Sequence, residues 1–272
     1  MPGSELYEQF MALHTRDGGL VMPNAWDGLS ALMLADAGFE AIATSSATIA
    51  ATLGRLTGLP VNGDFEDGYG DTPEDVAATV EAAVESGLTG IGVEDASGDL
   101  DMPIRDFDEA VSRVRSAVDA SKGRIVVTGR TDNFIQGRPD LDDTIRRLTA
   151  FAEVGADVVY APFPPDRDAL VAIVTAVAPT PVNVLVSPSD KVLTVTELQQ
   201  AAGKRISLGV ALHPRDGSGR RGREGTPRGR PRLGDDGHEL RPHQRTAGPR
   251  QELTRSARIT DSSSRDHKTK AG

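Results

Sequence analysis

Residues 60–95, PVNGDFEDGYGDTPEDVAATVEAAVESGLTGIGVED, decide the fold. Pro60–Asp64 is a short, largely apolar run that ends in a carboxylate. Asp71-Thr72-Pro73-Glu74 then offers a cap, a proline in the first turn and early acids, which predicts a helix over Pro73–Glu85. Gly87 stops that helix, and Gly90–Glu94 supplies a second short run. Strand, helix and strand in this order form a crossover whose two strands must be parallel.

The same rhythm extends in both directions. Leu20–Met22, Ala41–Thr44, Ile125–Arg130, Val158–Ala161, Val182–Val186 and Arg205–Leu208 read as further strands. Amphipathic stretches predict helices at Leu29–Ala37, Phe107–Ala120, Leu141–Val154, Arg167–Val177 and Thr194–Ala202. Eight strands in one array favour an α/β fold of the closed (β/α)8, TIM-barrel type, with an open doubly wound sheet as the alternative. Only Ser46–Leu59 separates the second strand from the third, near the minimum for a parallel crossover. A shortened connection without a full-length helix is therefore expected, leaving one apolar flank open.

The pattern stops at Leu212. Residues 1–212 are expected to form the barrel domain and 213–272 a disordered basic tail rich in Arg, Gly and Pro, without Phe, Tyr or Trp. The tail carries 15 of the 30 Lys and Arg but 8 of the 40 Asp and Glu, leaving 15 basic against 32 acidic side chains in the barrel, a net of −17. So acidic a body argues against nucleic acid and favours a bound divalent cation. No cysteine is present, which excludes disulfides, thiolate metal sites and a cysteine nucleophile. No signal-peptide pattern and no long apolar run is present, so a cytoplasmic protein with no membrane partner is expected.

Active sites of parallel barrels sit at the C-terminal ends of the strands. There the third strand runs into Asp64-Phe65-Glu66-Asp67-Gly68-Tyr69-Gly70, the fourth ends in Glu94-Asp95 and the fifth in Arg130-Thr131-Asp132. Carboxylates converging on one mouth repel unless a hard cation neutralises them, and oxygen-only ligation suits Mg2+, with Mn2+ the alternative. Taken singly, Asp64, Glu66 and Glu94 also read as strand-end acids paired with Arg or capping helices. Asp95 and Asp132 read as structural partners, His14 as part of a surface helix, and Trp26 and Phe39 as packing residues.

Thr44-Ser45-Ser46-Ala47 with Leu53-Gly54, the Asp64–Gly70 run, Ile91–Asp95, Gly129–Asp132 and Arg205–Gly209 follow one another in the order found in the isocitrate lyase/phosphoenolpyruvate mutase family, which the chain resembles across residues 20–212. The resemblance implies that Asp64 ligates Mg2+ directly and that Glu66 and Glu94 hold metal-bound waters. It also implies that Ser45, Ser46 and Ala47 hold the substrate carboxylate and that Arg130 binds or polarises the substrate. Arg130, Glu94 and Tyr69 form the expected catalytic group, Tyr69 as proton donor or acceptor, although a packing role for this tyrosine stays open.

The implied activity is cleavage or decarboxylation of a small 2-oxo or 2-hydroxy acid at a C–C bond, through an enolate whose charge the metal stabilises. Phosphonate P–C chemistry and a catalytically silent barrel are the alternatives. Three departures from the family pattern bear on this. The loop after the fourth strand is Ala96-Ser97-Gly98-Asp99-Leu100-Asp101, with neither cysteine nor histidine and too acidic for a tricarboxylate. Thr57 stands where the family has an aspartate, which should weaken metal binding. The amphipathic final helix is missing, which compromises the homo-oligomer usual in the family. A one-base frameshift after Leu212 explains that loss, and sequencing the gene checks it: a single-base shift should restore a periodic apolar helix.

Overall fold

The structure is a computed structural model that describes residues 2–44, 47–186, 195–200 and 204–209. The proposed tail at 213–272 and any helix after the last strand lie outside the described residues. Helix α1 (Pro2–Thr15) precedes an alternation of strand and helix: β1 (Leu20–Met22), α2 (Gly28–Asp36), β2 (Ile42–Thr44), α3 (Ala47–Thr57), β3 (Val61–Asp64), α4 (Pro73–Glu85), β4 (Gly90–Glu94) and α5 (Phe107–Ser121). The second half continues with β5 (Val126–Arg130), α6 (Leu141–Glu153), β6 (Val158–Tyr160), α7 (Arg167–Val177), β7 (Val182–Leu185), α8 (Val195–Gln200) and β8 (Arg205–Ser207).

All pairings are parallel, in the order β1-β8-β7-β6-β5-β4-β3-β2. The seam between β1 and β2 is closed by an isolated parallel bridge, Asn24 to Ala43. There the Ala25 amide donates to the Ala43 carbonyl and the Ala43 amide to that of Pro23, both at 2.8 Å. Pro23 has no amide hydrogen to extend the β1 ladder, so two bonds carry the closure. The fold is thus the eight-stranded barrel expected.

The expected gap between the second and third strands is corrected. Helix α3 spans 11 residues there. At about 1.5 Å per residue it measures roughly 16 Å, enough to return along strands of three or four residues, so a dozen residues suffice. Ala50 and Leu53 of α3 are buried with Ile42 and Val61 beneath them, and that flank is covered.

Helix α4 starts on a reciprocal cap. Thr72 Oγ1 accepts from the Asp75 amide at 3.2 Å, while the Asp75 carboxylate accepts from the Thr72 amide at 2.9 Å. It ends at Gly87, whose φ of 85° is open to glycine without strain. Two apolar sectors lie between sheet and helices, one behind β2 to β5 and one behind β6 to β8.

A third cluster forms the barrel floor, where α1 sets Phe10 and Leu13 against Leu20, Ala41, Val126 and Val158, all at or next to the N-terminal ends of strands. Gly90 makes this possible, since a Cβ there would meet Phe10 Cε1 and Asn62 Oδ1 at 2.7 Å each. His14, expected on a surface, is fully buried in this floor. Its Nδ1 lies 2.7 Å from the Phe10 carbonyl oxygen, to which the neutral ring donates, and its Nε2 meets no partner among the described residues. The helix was read correctly, but its polar face turns inward at this position because the floor needs a plug.

Burial, and then the nearby Arg205 guanidinium, push the His14 pKa from 6.5 down to about 3. A base whose folded pKa is depressed contributes its full stability above pH 6.5 and loses it as the pH falls toward 3. The loss is expected at about 1.4 kcal/mol per pH unit at its steepest. Urea unfolding of wild-type and His14→Gln proteins from about pH 4 to about pH 8 isolates it, since the difference between the two removes the other titrating groups. Parallel stability curves would contradict it.

Candidate active site

Strand stagger determines which side chains meet. The register pairs Glu94 with Arg130, Arg130 with Tyr160, Tyr160 with Asn183 and Asn183 with Arg205. Registered partners in parallel strands face the same side, and in a sheared barrel such a row descends. It starts at the C-terminal end of β4 and finishes at the first residue of β8. A line of polar groups therefore runs from the mouth into the interior.

At its upper end, Arg130 Nη1 lies 3.2 Å from Glu94 and 3.7 Å from Asp64, while Nε and Nη2 contact the two Asp132 oxygens at 2.6 and 3.1 Å. The Arg130 guanidinium also sits 5.4 Å from the Tyr160 ring centroid. Burial works against the charge on Arg130, but Asp132, Glu94 and then Asp64 hold it firmly protonated. Glu94 is pushed up to about 8, first by burial and then by Asp132, Asp64 and Glu66, against the opposing pull of Arg130. Three carboxylates therefore meet a single guanidinium while a fourth, Glu66, bears on Glu94, and the cluster is short of positive charge.

Among the described residues no three carboxylate or histidine groups form a preformed metal cage. Asp64 and Glu66 nevertheless both bear on the charge of Glu94. Asp64 accepts from the Glu66 amide at 3.2 Å, and the Glu66 carbonyl accepts from the Glu94 amide at 2.9 Å. Hard oxygen donors with uncompensated negative charge fit a divalent cation.

The loop bearing Glu66 and Tyr69 is tightly held. Both residues adopt the left-handed region, at φ 50° and 56°, which costs a side-chain-bearing residue about 1 kcal/mol or more. Arg113 on α5 is buried beneath them and donates to the carbonyls of Asp67 at 2.6 Å and Gly70 at 2.7 Å. Burial, then neighbouring Arg105, lowers the pKa of this guanidinium. Arg105 pairs with Asp67 at 2.9 Å. Tyr69 itself is 49% exposed and packs against Phe65, with ring centroids 5.7 Å apart. It lies at the rim of the mouth.

Asp95 and Asp132 are structural partners, as expected. Asp95 accepts from the Asp132 amide at 2.9 Å and pairs with buried Arg147 at 3.2 Å. Trp26, expected in packing, is 39% exposed, whereas Phe39 is half-buried. Thr57 is a correction. It closes the last turn of α3, with Oγ1 donating to the Leu53 carbonyl at 2.8 Å, and helices in a barrel end at the face opposite the mouth. Ser45 and Ser46 lie outside the described residues, and Ala47 is the first residue of α3.

Three residues of the interior row do not stand out in the sequence as site residues, Tyr160, Asn183 and Arg205. A tyrosine ending a β-branched run and an arginine opening one read as ordinary strand residues. Only their register reveals them.

The phosphoenolpyruvate phosphomutase family matches residues 10–58 and 55–215, two segments that meet at the end of α3. A crystal structure from Burkholderia cenocepacia J2315, assigned as a lyase/mutase, is 42% identical and covers 78% of this chain and 83% of its own, with a TM-score of 0.74. An uncharacterised protein of Mycobacterium tuberculosis H37Rv is 30% identical over 74% of this chain and 81% of its own length. The structure of a 2,3-dimethylmalate lyase, a PEP mutase/isocitrate lyase superfamily member, is 25% identical, covers 77% and 81% of the two chains and has a TM-score of 0.68.

Arg113→Met leaves two loop carbonyls without their donor. A stability loss of about 2–4 kcal/mol is expected in urea unfolding, together with faster limited proteolysis within residues 64–72. Unchanged stability and cleavage would show that the loop does not depend on Arg113.

Proposed function

Because the chain belongs to the phosphoenolpyruvate phosphomutase family, within the PEP mutase/isocitrate lyase superfamily of lyases and mutases, we propose that it cleaves or decarboxylates a small 2-oxo or 2-hydroxy carboxylic acid with the help of Mg2+. Mn2+ is the alternative cation. The observation that carries this reading is the Arg130 cluster, three carboxylates around one guanidinium with Glu66 bearing on Glu94 beside them, at the mouth of the barrel. Such a mouth repels an anionic substrate until a divalent cation offsets it.

Asp64, Glu66 and Glu94 are the residues that would hold the cation. When bound, it would supply Lewis-acid stabilisation of the negative charge that develops on the substrate as its bond breaks. Arg130 contributes a fixed cation beside the substrate, oriented by two bonds to Asp132 and so needing little reorganisation. Ser45, Ser46 and Ala47 would receive the substrate carboxylate, where α3 begins at the C-terminal end of β2 and the helix N-terminus favours an anion. Tyr69, at the rim, is the candidate for proton transfer with solvent. The acidic Ala96–Asp101 loop, tied by a bridge between Ala96 and Ile104, adds no cation to the mouth and fits a small acid better than a tricarboxylate.

A thermal-shift titration with oxalate, with and without Mg2+, tests the reading. A rise in Tm that requires both is expected, growing with ligand concentration by mass action, and Asp64→Asn should abolish it. No rise in a cooperatively melting sample would favour the silent barrel. CO2 release from oxaloacetate, against phosphate release from phosphonopyruvate, then separates C–C from P–C chemistry.

A further inference from the structure

Tyr160 is the middle member of the descending row, registered between Arg130 and Asn183. Its half-buried ring carries the Arg130 guanidinium on one face. Its hydroxyl makes no hydrogen bond among the described residues, although the polar groups above and below it in the row are bonded. Buried Arg205 lies lower, with Nε donating to Asn183 Oδ1 at 2.8 Å and Nη1 to Asn62 Oδ1 at 3.4 Å, and no carboxylate pairs with it among the described residues. The phenol therefore stands between a guanidinium that is shared by acids and one that has none. The ring is half-buried and its hydroxyl is open to solvent rather than sealed away, and a donor left open beside two cations is shaped for an anionic oxygen.

We propose that the Tyr160 hydroxyl is a substrate-binding donor, bonding to an anionic oxygen of the same small carboxylate that Arg130 faces. This rests on the proposed function, since it assumes that the carboxylate enters this mouth. Burial, its largest influence, and the carboxylates Asp132 and Asp64 raise the phenol's pKa, while Arg130 and Arg205 lower it. The balance keeps the proton available to donate at neutral pH.

Tyr160→Phe keeps the ring and its contact with Arg130 and removes the donor alone. Oxalate binding in saturating Mg2+ should weaken about 10-fold, equal to about 1.4 kcal/mol, with Tm in the absence of ligand nearly unchanged. A merely structural tyrosine gives the opposite, a lowered Tm and an unaltered oxalate Kd, and that result overturns the proposal. If Tyr160→Phe fails to fold, fluorine NMR of the wild-type chain labelled with 3-fluorotyrosine decides. Of its three tyrosines, one besides rim Tyr69 should shift when oxalate joins Mg2+, and Tyr7→Phe should leave that shift in place. No such shift overturns the role. Absence of any oxalate response in the folded wild type overturns the proposed function and this role with it, whereas normal wild-type binding with unaltered Tyr160→Phe affinity overturns this role alone.

Discussion

Strand stagger is the constraint on which the rest of the molecule depends. In a barrel of short parallel strands, partners across the sheet keep their register but change their depth, so one inward row samples both the solvent-facing mouth and the closed interior. Glu94 and Arg130 are the wet end of that row, and Arg205 is the dry end. The same geometry explains why α1 must seal the floor. Without Phe10 and Leu13, water would reach Asn62, Asn183 and Arg205 from below, and the interior polarity would lose its isolation.

Electrostatics in this row run in opposite senses at its two ends. At the top, acids outnumber the one guanidinium, and burial drives Glu94 toward its protonated form. At the bottom, burial brings Arg205 down to about 10, with the amide oxygens of Asn183 and Asn62 as its acceptors and no carboxylate beside it among the described residues. A cation at the mouth and an anion beneath it would satisfy both ends at once. A chelated carboxylate is the simplest molecule that brings the two together.

Much of the fold was legible because its signals are local. Each strand was read to within one residue at either end, since β-branched runs stop where the first polar turn residue must face water. Capped helices such as Pro73–Glu85 were equally plain. Helix α3 was missed because crossover length was judged without knowing that its flanking strands have only three and four residues. His14 was misread because period gives the face of a helix but not what that face meets, and Thr57 because the resemblance was carried onto a connection whose helix was not foreseen. Asp64, Glu94 and Arg130 could be found as polar residues ending apolar runs. Tyr160 could not, because its significance lies in a register spanning five strands.

The two left-handed residues of the β3–α4 loop have a consequence for how the chain can change. Glycine at 66 or 69 would relieve the backbone, yet it would also remove a carboxylate or a phenol from the rim. Glycine at either position would therefore exchange a side chain at the rim for backbone ease. The loop thus trades conformational ease for side chains, and Arg113 beneath it, donating to the Asp67 and Gly70 carbonyls, makes the arrangement tolerable.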